Sequence, residues 1–112
     1  MSAPNTPAMP SAATLDWLAK LIRHPTVSLT PNLELIQQAQ DYLEDIGYLC
    51  AVVFDESKSK ANLYATIGPA VDGGVILSGH SDVVPTEGQN WASDPYVTDI
   101  RGDKLYGRGA CD

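Results

Sequence analysis

Cysteine is scarce: Cys50 and Cys111 are the only two in 112 residues. They are too few for a disulfide framework and lack the Cys-x-x-Cys spacing of a thiolate zinc site. The chain therefore reads as reduced and intracellular, with Cys50 a core residue in the apolar run Leu49 to Phe54 and Cys111 a packing residue. Basic residues are few as well. Seven Lys and Arg face fourteen Asp and Glu, for a formal charge of −7. With no basic cluster to offset it, this balance speaks against nucleic acid and anionic membranes as partners. No run is long and apolar enough to span a bilayer, and the first residues show neither a basic n-region nor an apolar h-region. A cytoplasmic location is expected. No internal repeat is visible.

What is present suffices for one small domain. Residues 1–13 are small and Pro-rich and read as a mobile, disordered leader, leaving 14–112 as the folded part. Thr14 is placed to cap a helix with Leu15, Leu18 and Ile22 at helical spacing, Trp17 and Leu21 widening the stripe and Pro25 stopping it. His24, just before that proline, suits a helix carboxyl end. A second helix runs from near Asn32 to Ile46, with Leu35, Ile36, Ala39, Tyr42, Leu43 and Ile46 on one side and Gly47 as its stop.

Strands follow at Leu49 to Phe54 and Asn62 to Ile67; in the second, Leu63, Ala65 and Ile67 share a face. Gly68-Pro69 and Asp72-Gly73-Gly74 turn the chain into a third strand, Val75 to Leu77, which is apolar without alternation and so expected to be buried on both faces. Helices followed by strands predict an α/β layer arrangement. Trp91 reads as a packing residue and Asp94-Pro95 as a turn. Tyr96 to Arg101 and Lys104 to Tyr106 form a hairpin around Gly102-Asp103. That turn accounts for the triplet Arg101-Gly102-Asp103 without integrin recognition.

The chemistry gathers where the third strand ends, at Ser78-Gly79-His80-Ser81-Asp82. Side chains at i and i+2 of an extended backbone lie on one side, so His80 and Asp82 should point together. An imidazole that gives one ring N–H to a carboxylate is a better metal donor through its other nitrogen. The carboxyl ends of strands are also where open α/β sheets bind ligands. Taken alone, the pair is more simply a histidine hydrogen-bonded at a strand end.

Ser78 to Pro85, with Trp91, Asp94-Pro95-Tyr96 and the closing run Leu105-Tyr106-Gly107-Arg108-Gly109-Ala110-Cys111-Asp112, changes that balance. Over about residues 14–112 the chain resembles the amino-terminal part of the dinuclear zinc amidohydrolases. This family includes acetylornithine deacetylase, succinyl-diaminopimelate desuccinylase, aminoacylase and certain carboxypeptidases. The phrases Asn32-Leu33-Glu34-Leu35-Ile36, Asn62 to Gly68 and Gly88-Gln89-Asn90-Trp91 are most similar to its bacterial acetylornithine deacetylase branch.

The resemblance implies part of a zinc-exopeptidase-type catalytic domain, helices packed on a central mostly parallel or mixed sheet, incomplete at its carboxyl end. It implies that His80 binds one metal, Asp82 orients His80 as the catalytic carboxylate, and Asp112 bridges two metals. Gly107 and Gly109 would let the backbone come close, and Arg108 would partner nearby carboxylates. It further implies two divalent ions, zinc or alternatively cobalt, a small N-acyl amino acid substrate and a homodimeric complete enzyme. The implied reaction is hydrolysis of N2-acetyl-L-ornithine to L-ornithine and acetate in arginine biosynthesis.

In the family the remaining ligands, a glutamate general base and a lid domain follow the bridging aspartate. The 112-residue chain alone is therefore expected to be inactive and to bind zinc weakly. The alternatives are a desuccinylase or dipeptidase of the same family, or a non-catalytic α/β module binding a partner through an exposed sheet edge.

Overall fold

The computed structural model describes residues 9–112. Helix α1 covers Ala12–Arg23 and is capped by Ser11, whose hydroxyl accepts the Thr14 N–H at 3.1 Å. The cap thus falls three residues before the expected Thr14, because Ala12 and Ala13 are strong helix formers and carry the helix back to the preceding serine. Residues 1–8 of the expected leader lie outside the described residues, while Ala12 and Ala13 are already helical. His24 closes α1 before Pro25, and its Nε2 pairs with Gln38 Oε1 at 2.7 Å.

Helix α2 covers Leu33–Asp45 and ends in a Schellman turn: Gly47, at φ +101°, donates to the Glu44 carbonyl and Tyr48 donates to the Leu43 carbonyl. Trp17 of α1 meets Tyr42 of α2 edge-on, with ring centroids 4.6 Å apart. From α2, Leu35 and Ile36 bury against Ala61, with Leu33, Val52 and Leu63 around them. Ala61, Val52 and Leu63 sit on a hairpin in which strand β1, Leu49–Phe54, pairs antiparallel with β2, Ala61–Thr66, in the register Val52 to Leu63. Asp55 builds the connection, since its carboxylate accepts from Ser57 Oγ and from the N–H groups of Ser59 and Lys60.

Asn32, where α2 begins, makes no side-chain cap bond. Its amide is engaged elsewhere: Oδ1 accepts the Ala61 N–H at 2.9 Å and Nδ2 donates to the Ala61 carbonyl at 3.0 Å. One side chain thereby imitates a neighbouring strand and ties the helix start to the edge of β2. Ala61 is buried, so Asn32→Ala should cost about 1–3 kcal/mol, the range for stranding buried backbone groups. Urea unfolding will show it as a lowered midpoint, and a loss below about 0.5 kcal/mol would mean that water replaces the amide.

The fold is α/β as expected, but its sheets differ from the expected central, mostly parallel or mixed sheet. Two separate antiparallel pairs form, β1–β2 and the hairpin of β3, Asp99–Arg101, with β4, Lys104–Tyr106. Among the described residues, parallel pairing is limited to an isolated bridge between Val27 and Val83. Gly102 turns the second hairpin at φ +64°, and Asp94 Oδ1 accepts the Tyr96 N–H at the expected Asp94-Pro95 turn. The expected third strand is absent: Val75, Ile76 and Leu77 are 86%, 76% and 93% exposed and pair with no strand among the described residues. A strand of this kind needs hydrogen-bonded neighbours at its edges and a layer over each face. Neither is in place here, and the radius of gyration, 17.0 Å, exceeds the ~13 Å usual for a domain of this length.

Candidate functional site

Three stretches far apart in sequence meet at the site. Residues Thr26 to Ser28 run beside Ser81 to Val83, with Val83 N–H on the Thr26 carbonyl at 2.9 Å and Ser28 N–H on the Val83 carbonyl at 3.0 Å. The buried Thr26 adds its hydroxyl, which donates to the Ser81 carbonyl at 2.6 Å. On the other side comes the run Gly107 to Asp112. A Cβ on Gly107 would lie 3.1 Å from two methyl carbons of Ile22 in α1, and one on Gly109 would lie 2.8 Å from Val83 Cγ1. The two glycines therefore let this run pass between α1 and the His80 segment. Arg108 anchors it, its N–H donating to the Pro95 carbonyl at 2.7 Å.

Asp112 is thereby carried to His80. The imidazole Nδ1 lies 3.1 Å from both the carbonyl oxygen and Oδ1 of Asp82, while Nε2 lies 3.1 Å from Asp112 Oδ1. The three residues singled out from the sequence form one line, Asp82 to His80 to Asp112, beside a cavity of about 120 Å³. His24 and Arg108 border the same cavity. The second carboxylate oxygen of Asp82 accepts the Ser28 hydroxyl at 2.7 Å.

When Nδ1 carries the proton of a neutral ring, Nε2 presents a lone pair to a carboxylate oxygen. Two lone pairs at 3.1 Å repel, so the arrangement calls for a proton or a cation between them. Two donors on a tetrahedral zinc ion, each at about 2.0–2.1 Å, stand about 3.3 Å apart. The separation and the N/O donor pair therefore fit a shared divalent ion. These two atoms make only a partial set, and among the described residues no group of three or more His, Cys, Asp or Glu side chains is placed to hold a metal ion.

Without a metal, the same contacts favour the protonated ring. The Asp82 carbonyl first, then the carboxylates of Asp112 and Asp82, push the His80 pKa above its ordinary 6.5. The Ser28 hydroxyl, ahead of the imidazole, holds the Asp82 carboxyl below its usual range. A raised folded-state value for His80 means that its stabilising contribution is full below pH 6.5 and is lost as pH rises through that folded value. An NMR titration should accordingly place the His80 midpoint above 6.5, and Asp112→Asn should bring it down. A midpoint at or below 6.5 in the unmodified chain would mean that the carboxylates do not face the ring in solution.

Several side chains take roles other than those expected. Cys111 is exposed rather than packed. Arg108 engages no carboxylate among the described residues: Nη2 donates to Gln89 Oε1 and the guanidinium lies over the Trp91 ring, 5.2 Å from its centroid. Trp91 is half-buried and donates its own indole N–H to Gln89 at 2.9 Å. Cys50 sits half-buried on the inner face of β1, where burial pushes its thiol pKa up. The sequence reading passed over Thr26, Ser28 and Gln89. A signal for the first two was present, since hydroxyls at i and i+2 of a short stretch after Pro25 share a side just as His80 and Asp82 do.

The sequence pattern of Peptidase family M20/M25/M40 matches residues 76–112, the stretch that holds His80, Asp82 and Asp112. Over this stretch the chain is similar to that family, and its α/β elements fit an incomplete peptidase-like catalytic domain. It is similar to acetylornithine deacetylases: 35% identical over 105 residues to that of Proteus mirabilis and 34% over 104 residues to that of Aliivibrio fischeri. The first alignment covers 88% of this chain and 27% of the relative, the second 87% and 27%. The acetylornithine deacetylase of Shigella sonnei is 34% identical over 99 residues, 82% of this chain and 26% of the relative. The chain thus spans about a quarter of the length of the curated relatives it matches. No helix among the described residues is long and apolar enough to cross a membrane.

Proposed function

We propose that this chain supplies part of the metal site of an amidohydrolase that releases acetate from N2-acetyl-L-ornithine. The observation that carries the reading is the line Asp82, His80, Asp112, with one ring nitrogen tied to Asp82 and the other facing a carboxylate oxygen at 3.1 Å. His80 would offer Nε2 to one ion, with Asp82 holding the ring in the tautomer that leaves this nitrogen free. Asp112 would help to hold the ions with its carboxylate. Divalent ions bound there, zinc or alternatively cobalt, would acidify a shared water and polarise the acyl carbonyl. All three side chains are then engaged in binding or orientation, so proton transfer from water to the leaving amine falls to a base other than these three. The 112-residue chain alone is inactive on this reading. The complete protein is a cytoplasmic homodimer serving arginine biosynthesis.

The acetylornithine preference rests on the names of the similar proteins and is tested by rates on the natural-length polypeptide. N-acetylornithine should exceed N-succinyl-diaminopimelate and dipeptides in kcat/KM by at least about tenfold, the discrimination that a few pocket contacts supply. A succinyl preference would make it a desuccinylase. Absence of any metal-dependent hydrolysis would leave the non-catalytic module.

A further inference from the structure

We infer that Ser28 is a positioning residue that sets the orientation of the Asp82 carboxylate and, through it, the ring of His80. The inference rests on the reading of Asp82 as the group that orients His80.

Asp82 has two oxygens with different duties: Oδ1 faces His80 Nδ1 at 3.1 Å and Oδ2 accepts the Ser28 hydroxyl at 2.7 Å. The terminal torsion of an aspartate is broad and roughly two-fold, so nothing intrinsic to Asp82 keeps one oxygen toward the ring. Its side chain is also 57% exposed, open to competing water. A hydroxyl donating to an ionised carboxylate is short and strong among hydrogen bonds, and it fixes that torsion. Ser28 is itself held, since its N–H bonds the Val83 carbonyl and the next residue, Leu29, turns the chain away at φ +76°. A merely structural tie between the two stretches is already supplied by three bonds that do not touch the Asp82 side chain: Val83 N–H to Thr26, Ser28 N–H to Val83, and the Thr26 hydroxyl to Ser81. Orientation and attachment can therefore be separated by substitution.

The test is the ratio of Nδ1–H to Nε2–H tautomers of His80, read from ring nitrogen shifts in the 15N-histidine-labelled 112-residue chain at a pH where the ring is neutral. Asp112 competes for the proton at the opposite nitrogen, which makes the ratio responsive to Asp82. Ser28→Ala should lower the Nδ1–H share relative to Nε2–H by about three- to tenfold, the effect of one hydrogen bond. Ser28→Thr should restore it. Thr26→Val should lower the melting temperature and leave the ratio unchanged. Ser28→Cys, similar in shape but a poor donor, should shift the ratio part of the way and serves if Ser28→Ala does not fold. An unchanged ratio in Ser28→Ala or Ser28→Cys, with a collapsed ratio in Asp82→Asn, would overturn the role of Ser28 and leave that of Asp82 standing. An unchanged ratio in Asp82→Asn would overturn both.

Discussion

Gly109→Val will detach Asp112 from the site and take most of the fold's margin with it. Gly109 sits at φ +86°, where a side chain costs about 1–2 kcal/mol, and its Cβ would stand 2.8 Å from Val83 Cγ1. Val83 cannot yield easily. Its branched side chain is stiff about χ1, and its backbone is bonded to both Thr26 and Ser28. Overpacking of that kind adds about 1–3 kcal/mol, for a total of roughly 2–5 kcal/mol. Whole domains are stable by only about 5–15 kcal/mol, and among the described residues four hydrophobic ones are buried: Ile22, Leu35, Ile36 and Ala61. Thermal unfolding followed by circular dichroism should therefore show the transition greatly lowered or gone. Gly107→Ala, with its new methyl at 3.1 Å from two methyl carbons of Ile22 and no positive φ to hold, should lower it less. Equal effects at the two positions would contradict this packing.

His80→Ala in the natural-length polypeptide will reduce turnover by more than about 100-fold. Loss of an outer partner of a metal ligand typically costs about 10–100-fold, and a ligand itself must cost more. Asp82→Asn should fall within that outer-partner range, so the order of severity between the two substitutions separates the ligand from its support. The circular dichroism spectrum should be unchanged in both variants, since His80 and Asp82 are exposed and bury no core surface. In the 112-residue chain alone, two ligands are too few to close a zinc site, and zinc should bind more weakly than micromolar with or without His80. Micromolar or tighter binding abolished by His80→Ala would show that the chain builds a complete site by itself.

The parts of the fold legible from sequence are those that local chemistry decides. Strand β1 coincides with the apolar run Leu49 to Phe54, and α2 ends where Gly47 was expected to stop it, because a glycine that can adopt positive φ closes the Schellman turn. The start of α1 was misplaced because Ser11 and Thr14 are both good caps, and the choice fell to the helix propensity of two alanines. Val75 to Leu77 failed as a strand for a different reason. Its apolar pattern describes an environment of neighbouring strands and covering helices, and these are absent among the described residues.

The candidate site divides the same way. That His80 and Asp82 share a side followed from strand geometry alone, whereas Asp112 was picked out by family resemblance, since no local pattern reports a contact across the whole site. Ser28 shows the limit more sharply. Its hydroxyl was visible in the sequence, but the carboxylate that receives it is delivered by the Val27–Val83 bridge, a long-range parallel contact that no periodicity in either stretch announces.

Metal content measured beside turnover on the natural-length polypeptide tests the central claim most directly. Wild-type protein should carry about two divalent ions per polypeptide and hydrolyse N-acetylornithine, while His80→Ala and Asp112→Ala should each retain fewer ions and lose turnover together. Full metal content and undiminished turnover in both variants would mean that the line from Asp82 through His80 to Asp112 is only a surface hydrogen-bond network.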